Sequence, residues 1–215
     1  MTESVITFSK KEERLNIITH GFGFILSLVA LPLMVVSAVM EGDVWHVVSA
    51  SIYGSSLVLL YFASTLFHRS RKPKIRARYK IFDHASIYVL IAGSYTPFLL
   101  ITLRGSWGWS LFGVVWGLSI AGIILKLFFT GKYKVLSTIG YVLLGWVIVV
   151  AIRPLINNLN VAGLWWLVAG GLFYSVGALL YLIKSLPYNH AIFHVFVLAG
   201  SFCQFVTVYW YVLPS

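Results

Sequence analysis

The chain alternates between long apolar stretches and short polar segments. Seven stretches hold about 20 mostly apolar residues each, which is enough for a helix to cross the hydrocarbon core of a bilayer. They cover residues 17–40, 45–67, 81–103, 107–129, 135–152, 162–183 and 190–213. The stretches are apolar on every side and lack the ten-residue alternation of barrel strands. The pattern therefore predicts an all-α integral membrane protein, a seven-transmembrane helix bundle.

The segments between these stretches are too short to form a further domain. We expect residues 1–16 to be a cytoplasmic N-terminal segment and residues 17–213 to be a single seven-helix transmembrane domain. Glu12, Glu13 and Arg14 precede the first stretch without a cleavage-site pattern, so we expect this stretch to be retained rather than removed as a signal peptide.

Composition supports a membrane protein. The chain of 215 residues is 60% hydrophobic and only 10% charged, whereas about a quarter of the residues in a soluble domain are charged. High hydrophobicity also excludes intrinsic disorder. Cys203 is the one cysteine, which excludes a disulfide scaffold.

The few charges indicate an orientation. There are 16 Lys and Arg residues against 6 Asp and Glu, a net charge of +10. All of the cations except Arg104 and Arg153 lie in the N-terminal segment or in and beside alternate loops. Because cytoplasmic loops carry an excess of cations, we predict a cytoplasmic N-terminus and an outside C-terminus. This accounts for the basic charge without a nucleic-acid partner.

The second loop, Arg69–Lys80, holds seven of these cations. It could bind anionic lipid head groups, or it could serve only to set the orientation. Membrane lipids are the expected partners, and the oligomeric state is left open.

Small residues and proline mark points of helix packing. Gly113 and Gly117 are spaced four apart, and Gly170, Gly171 and Gly177 lie in a later stretch. Such residues let membrane helices approach closely. Pro97, inside the third stretch, predicts an irregular helix there.

Ionisable residues cluster toward the predicted cytoplasmic side. Five of the six histidines lie there together with Asp83; they are His20, His68, His84, His190 and His194. Membrane helices carry such groups where they face the bundle interior and find partners. Ser64 and His68 are four residues apart, as are His190 and His194, so each pair shares a helix face.

This spacing favours a metal site. His190 and His194 can place two imidazoles on one ion, and His68 lies at a matching depth as the third ligand, as in three-ligand zinc sites with an open position. Asp83 could coordinate the metal directly or through a water, and Ser64 could stabilise an oxyanion. A packed, hydrogen-bonded histidine pair is the alternative to a metal. A haem fits a same-helix pair poorly, and nitrogen-rich ligation favours Zn²⁺ while leaving iron and manganese open.

Glu13, Asn16 and His20 share one face of the first helix. They either support the metal ligands or gate access to them, or Glu13 and Asn16 simply cap the start of the helix. His84 points away from Asp83 and is expected to be a buried hydrogen-bonding residue.

Four segments carry a family resemblance: ERLNIITHG (Glu13–Gly21), STLFH (Ser64–His68), FDHASIYVLIAGSYTPF (Phe82–Phe98) and PYNHAIFH (Pro187–His194). Together they resemble the hemolysin III family. This is the bacterial branch of the progestin and adipoQ receptors, which are related to alkaline ceramidases within a proposed superfamily of membrane hydrolases. The resemblance covers essentially the whole chain.

The resemblance implies Zn²⁺ on His68, His190 and His194, with Asp83 holding a water and Ser64 close by. It also implies the bacterial inner membrane, a role in membrane homeostasis, and hydrolysis of lipid amide or ester bonds. The alternative is a non-enzymatic membrane regulator or sensor with a structural zinc site. A pore-forming hemolysin fits less well, because the outer halves of the stretches are almost purely apolar.

Overall fold

The computed structural model describes residues 8–213 and is all-helical. Within this range, seven helices are long and apolar enough to span a membrane: α1 (Lys10–Glu41), α2 (Val44–Arg69), α3 (Pro73–Thr102), α4 (Ser106–Phe129), α5 (Lys134–Asn158), α6 (Val161–Leu182) and α7 (Asn189–Tyr211). The prediction of seven membrane-spanning helices is confirmed, and the protein is a multi-pass membrane protein. Part of the predicted segment 1–16 lies outside the described residues, and from Lys10 onward this segment belongs to α1.

Polar caps determine where the first helices begin. The Ser9 side chain accepts a hydrogen bond from the Glu12 backbone N–H at 3.2 Å and starts α1. Asp43 caps α2 by accepting from two backbone N–H groups, and its Oδ1 lies 2.8 Å from His46 Nδ1. The hydrogen bond to the His46 side chain is the main cause that lowers the pKa of Asp43 to about 2. The ionised cap also pairs with Arg104 at 2.8 Å, which ties two loops together.

Two of the helices are irregular, α3 in its last turn and α5 in its middle. As Pro97 predicts, α3 is α-helical only to that residue and continues as a π-helical turn over Phe98–Thr102. α5 changes from α-helix to 3₁₀-helix at Val147–Ala151. The Tyr95 hydroxyl lies against this break, since it is 2.8 Å from the Gly145 carbonyl and accepts from the Ile148 N–H at 3.0 Å. Backbone groups freed by the break are thus satisfied by a neighbouring helix.

The helices pack in a nearly sequential order. α1 contacts α2 and α7, α3 contacts α2, α4 and α5, and α6 contacts α5 and α7. The starts of α1, α3, α5 and α7 lie at one end of the bundle, which we call the basic end. It carries the Lys and Arg residues of the N-terminal segment and alternate loops, and Arg104 and Arg153 lie at the opposite end.

The space around each glycine shows which helix faces pack closely against a neighbour and which are exposed. A Cβ added at Gly177 would lie 2.6 Å from Phe196 Cβ, and one at Gly170 would lie 3.0 Å from Gln204 Nε2, so α6 and α7 approach closely there. The expectation for Gly113 and Gly117 is wrong, because a Cβ at either position meets nothing within 4 Å. This face of α4 is exposed, with no neighbouring helix against it among the described residues.

Candidate metal centre

Three histidines meet inside the basic end of the bundle. His68 lies in the last turn of α2, and His190 and His194 lie in the first two turns of α7. One ring nitrogen from each lies within 4.8 Å of the others, and all three side chains are buried. The Nε2 atoms of His68 and His190 are 3.0 Å apart. The three histidines singled out in the sequence therefore form one group.

The start of α7 is held in place by α6. Asn189 donates from Nδ2 to the carbonyl oxygens of Tyr181 at 3.1 Å and Ile183 at 3.0 Å. Tyr188, just before it, has φ 57° and ψ 27°, a left-handed conformation that non-glycine residues seldom adopt. These contacts fix the first turn of α7 and hence the position of His190.

His68 is oriented by a carboxylate from α1. Its Nδ1 lies 2.8 Å from Glu13 Oε2, so Nδ1–H donates to Glu13 and Nε2 presents a lone pair to the other histidines. A carboxylate on the far nitrogen of a histidine is the usual partner of a metal-ligating imidazole, since it fixes the tautomer and raises ligand basicity. Asn16 Nδ2 lies 3.4 Å from the same Nδ1.

Arg76 holds Glu13 in this position. Its guanidinium pairs with the other Glu13 oxygen. It also donates to the carbonyl oxygens of Phe67 at 3.2 Å and Ser70 at 3.1 Å, at the end of α2 where helix carbonyls lack full intrahelical partners. Arg76 could not be singled out from the sequence, because nothing in the pattern of the Arg69–Lys80 loop distinguishes it from the other six cations. Its burial distinguishes it in the structure.

His194 is supported by two further α1 residues. Thr19 Oγ1 lies 3.3 Å from His194 Nδ1, which leaves Nε2 available to a metal. The His20 ring stacks on the His194 ring with 3.4 Å between centroids and 12° between planes. Thr19 was also missed, although it lies between Asn16 and His20 on the same side of α1.

Asp83 and Ser64 lie beside this group rather than within it. The Asp83 carboxylate is not among the ligand atoms that come within 4.8 Å of one another, and its Oδ2 is 3.7 Å from His84 Nδ1. Ser64 faces Asp83, yet its buried Oγ has no well-formed hydrogen bond among residues 8–213. His84 Nδ1 lies 2.8 Å from the Lys80 carbonyl oxygen, a hydrogen-bonding role.

A cavity of about 200 Å³ adjoins the histidines. Its walls are largely apolar, and it extends from the basic end to Tyr95 and Gln204. Of the histidines and carboxylates described above, His20, Asp83, His84, His190 and His194 reach its wall, whereas His68 lies behind it. Two of the three metal candidates and Asp83 therefore line the same largely apolar cavity.

The donor set fits a small divalent ion. Zinc–nitrogen bonds of 2.0–2.1 Å in a tetrahedron place two nitrogens about 3.3 Å apart, which is close to the 3.0 Å between His68 Nε2 and His190 Nε2. The Nε2 atoms of His68 and His190 face each other, so a metal shared by the three imidazoles would use lone pairs that these side chains already direct toward one site. His190 Nδ1 has no partner among the described residues.

Fold and site together define a seven-helix membrane protein with three buried histidines that could hold a metal ion. Comparison with known families agrees, since residues 8–205 match the model described as Haemolysin-III related. The chain belongs to this family.

Its relatives span bacteria and animals. The chain is 49% identical to Hemolysin-3 of Bacillus cereus, over 100% of this chain and 99% of the relative. It is 45% identical to the Hemolysin-3 homolog of Bacillus subtilis (strain 168), over 95% and 96% of the two chains. It is 28% identical to the human monocyte to macrophage differentiation factor, over 95% of this chain and 86% of that protein.

The geometry predicts that metal binding needs all three histidines. We expect the purified protein to contain about one Zn²⁺ per chain, and His68→Ala, His190→Ala and His194→Ala each to reduce this to near zero, because two nitrogens seldom retain zinc. His84→Gln, a histidine outside the group, should keep the metal. Elemental analysis of the detergent-purified proteins measures the content, and retention of zinc by His194→Ala would contradict the assignment.

Glu13 should act through His68. We expect Glu13→Gln to weaken zinc affinity about 10- to 100-fold, because the carboxylate that makes the imidazole a better ligand is lost. Competition against a chromogenic chelator gives the affinity, and Glu41→Gln at the opposite end is the matched control. Equal affinities for the two variants would show that Glu13 has no part in the metal site.

Proposed function

We propose that this protein is an intramembrane zinc-dependent hydrolase that acts on lipid amide or ester bonds and contributes to membrane homeostasis. The observation that carries the proposal is the group of three buried histidines beside an apolar cavity whose wall also holds Asp83. Together these features offer ligands for a metal, a carboxylate and room for an acyl chain.

Each residue has a role in this proposal. His68, His190 and His194 would hold the ion, with Asp83 joined to it directly or through a water. Zinc, when bound, is a Lewis acid that lowers the pKa of water toward 7. Asp83 positions the attacking water and accepts its proton, and Ser64 donates a hydrogen bond to the developing oxyanion. The apolar walls hold the lipid chain and limit access of other water.

A non-enzymatic regulator or sensor is the second candidate. The observation in its favour is that the histidine group and its partners join α1, α2 and α7 through Glu13, His68 and His194. A metal there would fasten three helices together, and its loss would loosen them. The name Hemolysin-3 of two relatives suggests a third candidate function, a pore. The largely apolar cavity supports a pore less well than a hydrolase or a regulator.

The variant Asp83→Asn distinguishes a catalytic role of the metal site from a purely structural one. We expect it to lower turnover of a fluorescent ceramide or a chromogenic acyl ester at least about 100-fold, since the proton acceptor is lost, while zinc content is unchanged. Asp43→Asn, in the cap of α2, is the control that removes a carboxylate away from the cavity. Unchanged turnover in Asp83→Asn would reject the proposed mechanism, and zinc-loaded wild-type protein that hydrolyses neither the ceramide nor the acyl ester would favour the regulator.

We also propose that the basic end faces the cytoplasm of a bacterium and that the protein resides in the inner membrane. The charge bias across the bundle supports this orientation. In a Cys203→Ser background, Ser106→Cys should react with a membrane-impermeant maleimide in spheroplasts, whereas Arg71→Cys should react only after the membrane is opened. The reverse labelling pattern would overturn the orientation.

A further inference from the structure

Three lysines line the cavity at the basic end: Lys80 of α3, Lys126 of α4 and Lys134 of α5. Asp83 is the one acidic residue on the cavity wall among the described residues. The ion pairs found between residues 8 and 213 involve none of the three lysines. This wall therefore has an excess of positive charge that the protein does not neutralise.

Lys126 is the most buried of the three lysines, since it is only 4% exposed. Its contacts are neutral: Nζ donates to Ser137 Oγ at 2.5 Å and lies 5.6 Å from the centre of the Tyr141 ring. A buried ammonium without an anion is costly, and charged residues within membrane proteins pair or line a functional site. The protein places this charge on a cavity wall, where a ligand can reach it.

Helix geometry brings Lys80 and Lys134 to the part of the cavity wall where Lys126 lies. Ser137, the partner of Lys126, lies three residues after Lys134 on one face of α5. Lys134 Nζ donates to the Tyr181 carbonyl at 3.2 Å and lies over the Tyr181 ring, so it too has neutral partners. The Lys80 turn of α3 reaches the same face of α5, because Tyr141 donates from its hydroxyl to the His84 carbonyl at 3.0 Å.

The remainder of the cavity suits a hydrocarbon chain. Beyond the lysines its walls include Ile87 and Ile91 of α3, Val142 of α5, and Phe193 and Val197 of α7. A ligand that satisfies both parts has a charged head at the basic end and an apolar tail inside the bundle. Neither a free ion nor a neutral lipid would satisfy both.

The charge of the head group follows from the residues on the wall. Three ammonium groups less one Asp83 carboxylate leave two positive charges, and a phosphate monoester carries a charge of about −1.5 to −2 at pH 7. We propose that the cavity binds a single-chain amphiphile whose head is a phosphate monoester, with the phosphate on Lys80, Lys126 and Lys134. That this amphiphile is also the substrate class of the hydrolase rests on the proposed function, whereas its binding does not.

Hexadecyl phosphate tests the binding, because it has no acyl bond and binding needs no turnover. We expect it to bind the purified full chain in detergent, with hexadecylphosphocholine, palmitate and inorganic phosphate each at least about tenfold weaker. Lys126→Gln should weaken binding about fivefold or more, the effect of removing one favourable charge contact. Lys74→Gln, an exposed lysine at the same end but off the cavity wall, should leave binding within about twofold. Native mass spectrometry or a thermal-shift titration provides the affinities.

Four outcomes of these measurements would overturn the proposal. Equal binding of the phosphocholine compound or of palmitate would overturn the phosphate head group, and equal binding of inorganic phosphate would overturn the amphiphile. If Lys126→Gln does not fold, Lys80→Gln and Lys134→Gln replace it, and unchanged affinity in both overturns the lysine site. Affinity lost in His194→Ala but retained in the lysine variants would assign the phosphate to a metal instead. None of these outcomes depends on lipid hydrolysis.

Discussion

Polar side chains inside a bilayer have to find partners within the protein, because hydrocarbon offers none. In this protein α1 supplies most of the partners around the histidines. Glu13 binds His68, while Thr19 contacts His194 and His20 stacks on its ring. The site therefore depends on α1 lying between α2 and α7, which makes the first helix a structural part of the site as well as a membrane anchor.

The membrane-spanning helices and the histidine group could be predicted because two quantities, depth in the bilayer and position around the helix, largely determine them. An apolar run of about 20 residues has one stable form in a bilayer, and its bounds fix the depth of every residue along it. The helical period then fixes which residues share a face, so His190 and His194 had to point the same way. Depth and face together were enough to add His68 from another helix, since a buried imidazole needs a partner at its own level.

Contacts that depend on helix rotation and on loops could not be predicted. Arg76 lies among seven closely spaced cations that the sequence does not distinguish, and only the folded structure brings it, in the first turn of α3, to Glu13 and the end of α2. Gly113 and Gly117 have the spacing of a packing motif, but spacing cannot show that a neighbouring helix is there. Lipid tails are as apolar as leucine, so hydropathy does not encode which faces pair. The cavity is lined mainly by α3, α5, α6 and α7, with Lys126 of α4 on its wall. It is a consequence of that pairing, and the hydropathy pattern does not predict it.

The cavity joins two groups of opposite preference. The histidines present nitrogen lone pairs, which attract a cation, and the lysines present ammonium groups, which attract an anion. In a chamber of low dielectric the two bound charges would attract each other more strongly than in water. A metal at one group and an anionic head at the other would thus bind cooperatively, and linkage requires each to raise the affinity of the other by the same factor. Asp83 lies on the same wall as the lysines, His190 and His194, so its carboxylate would attract the metal and repel the anionic head group.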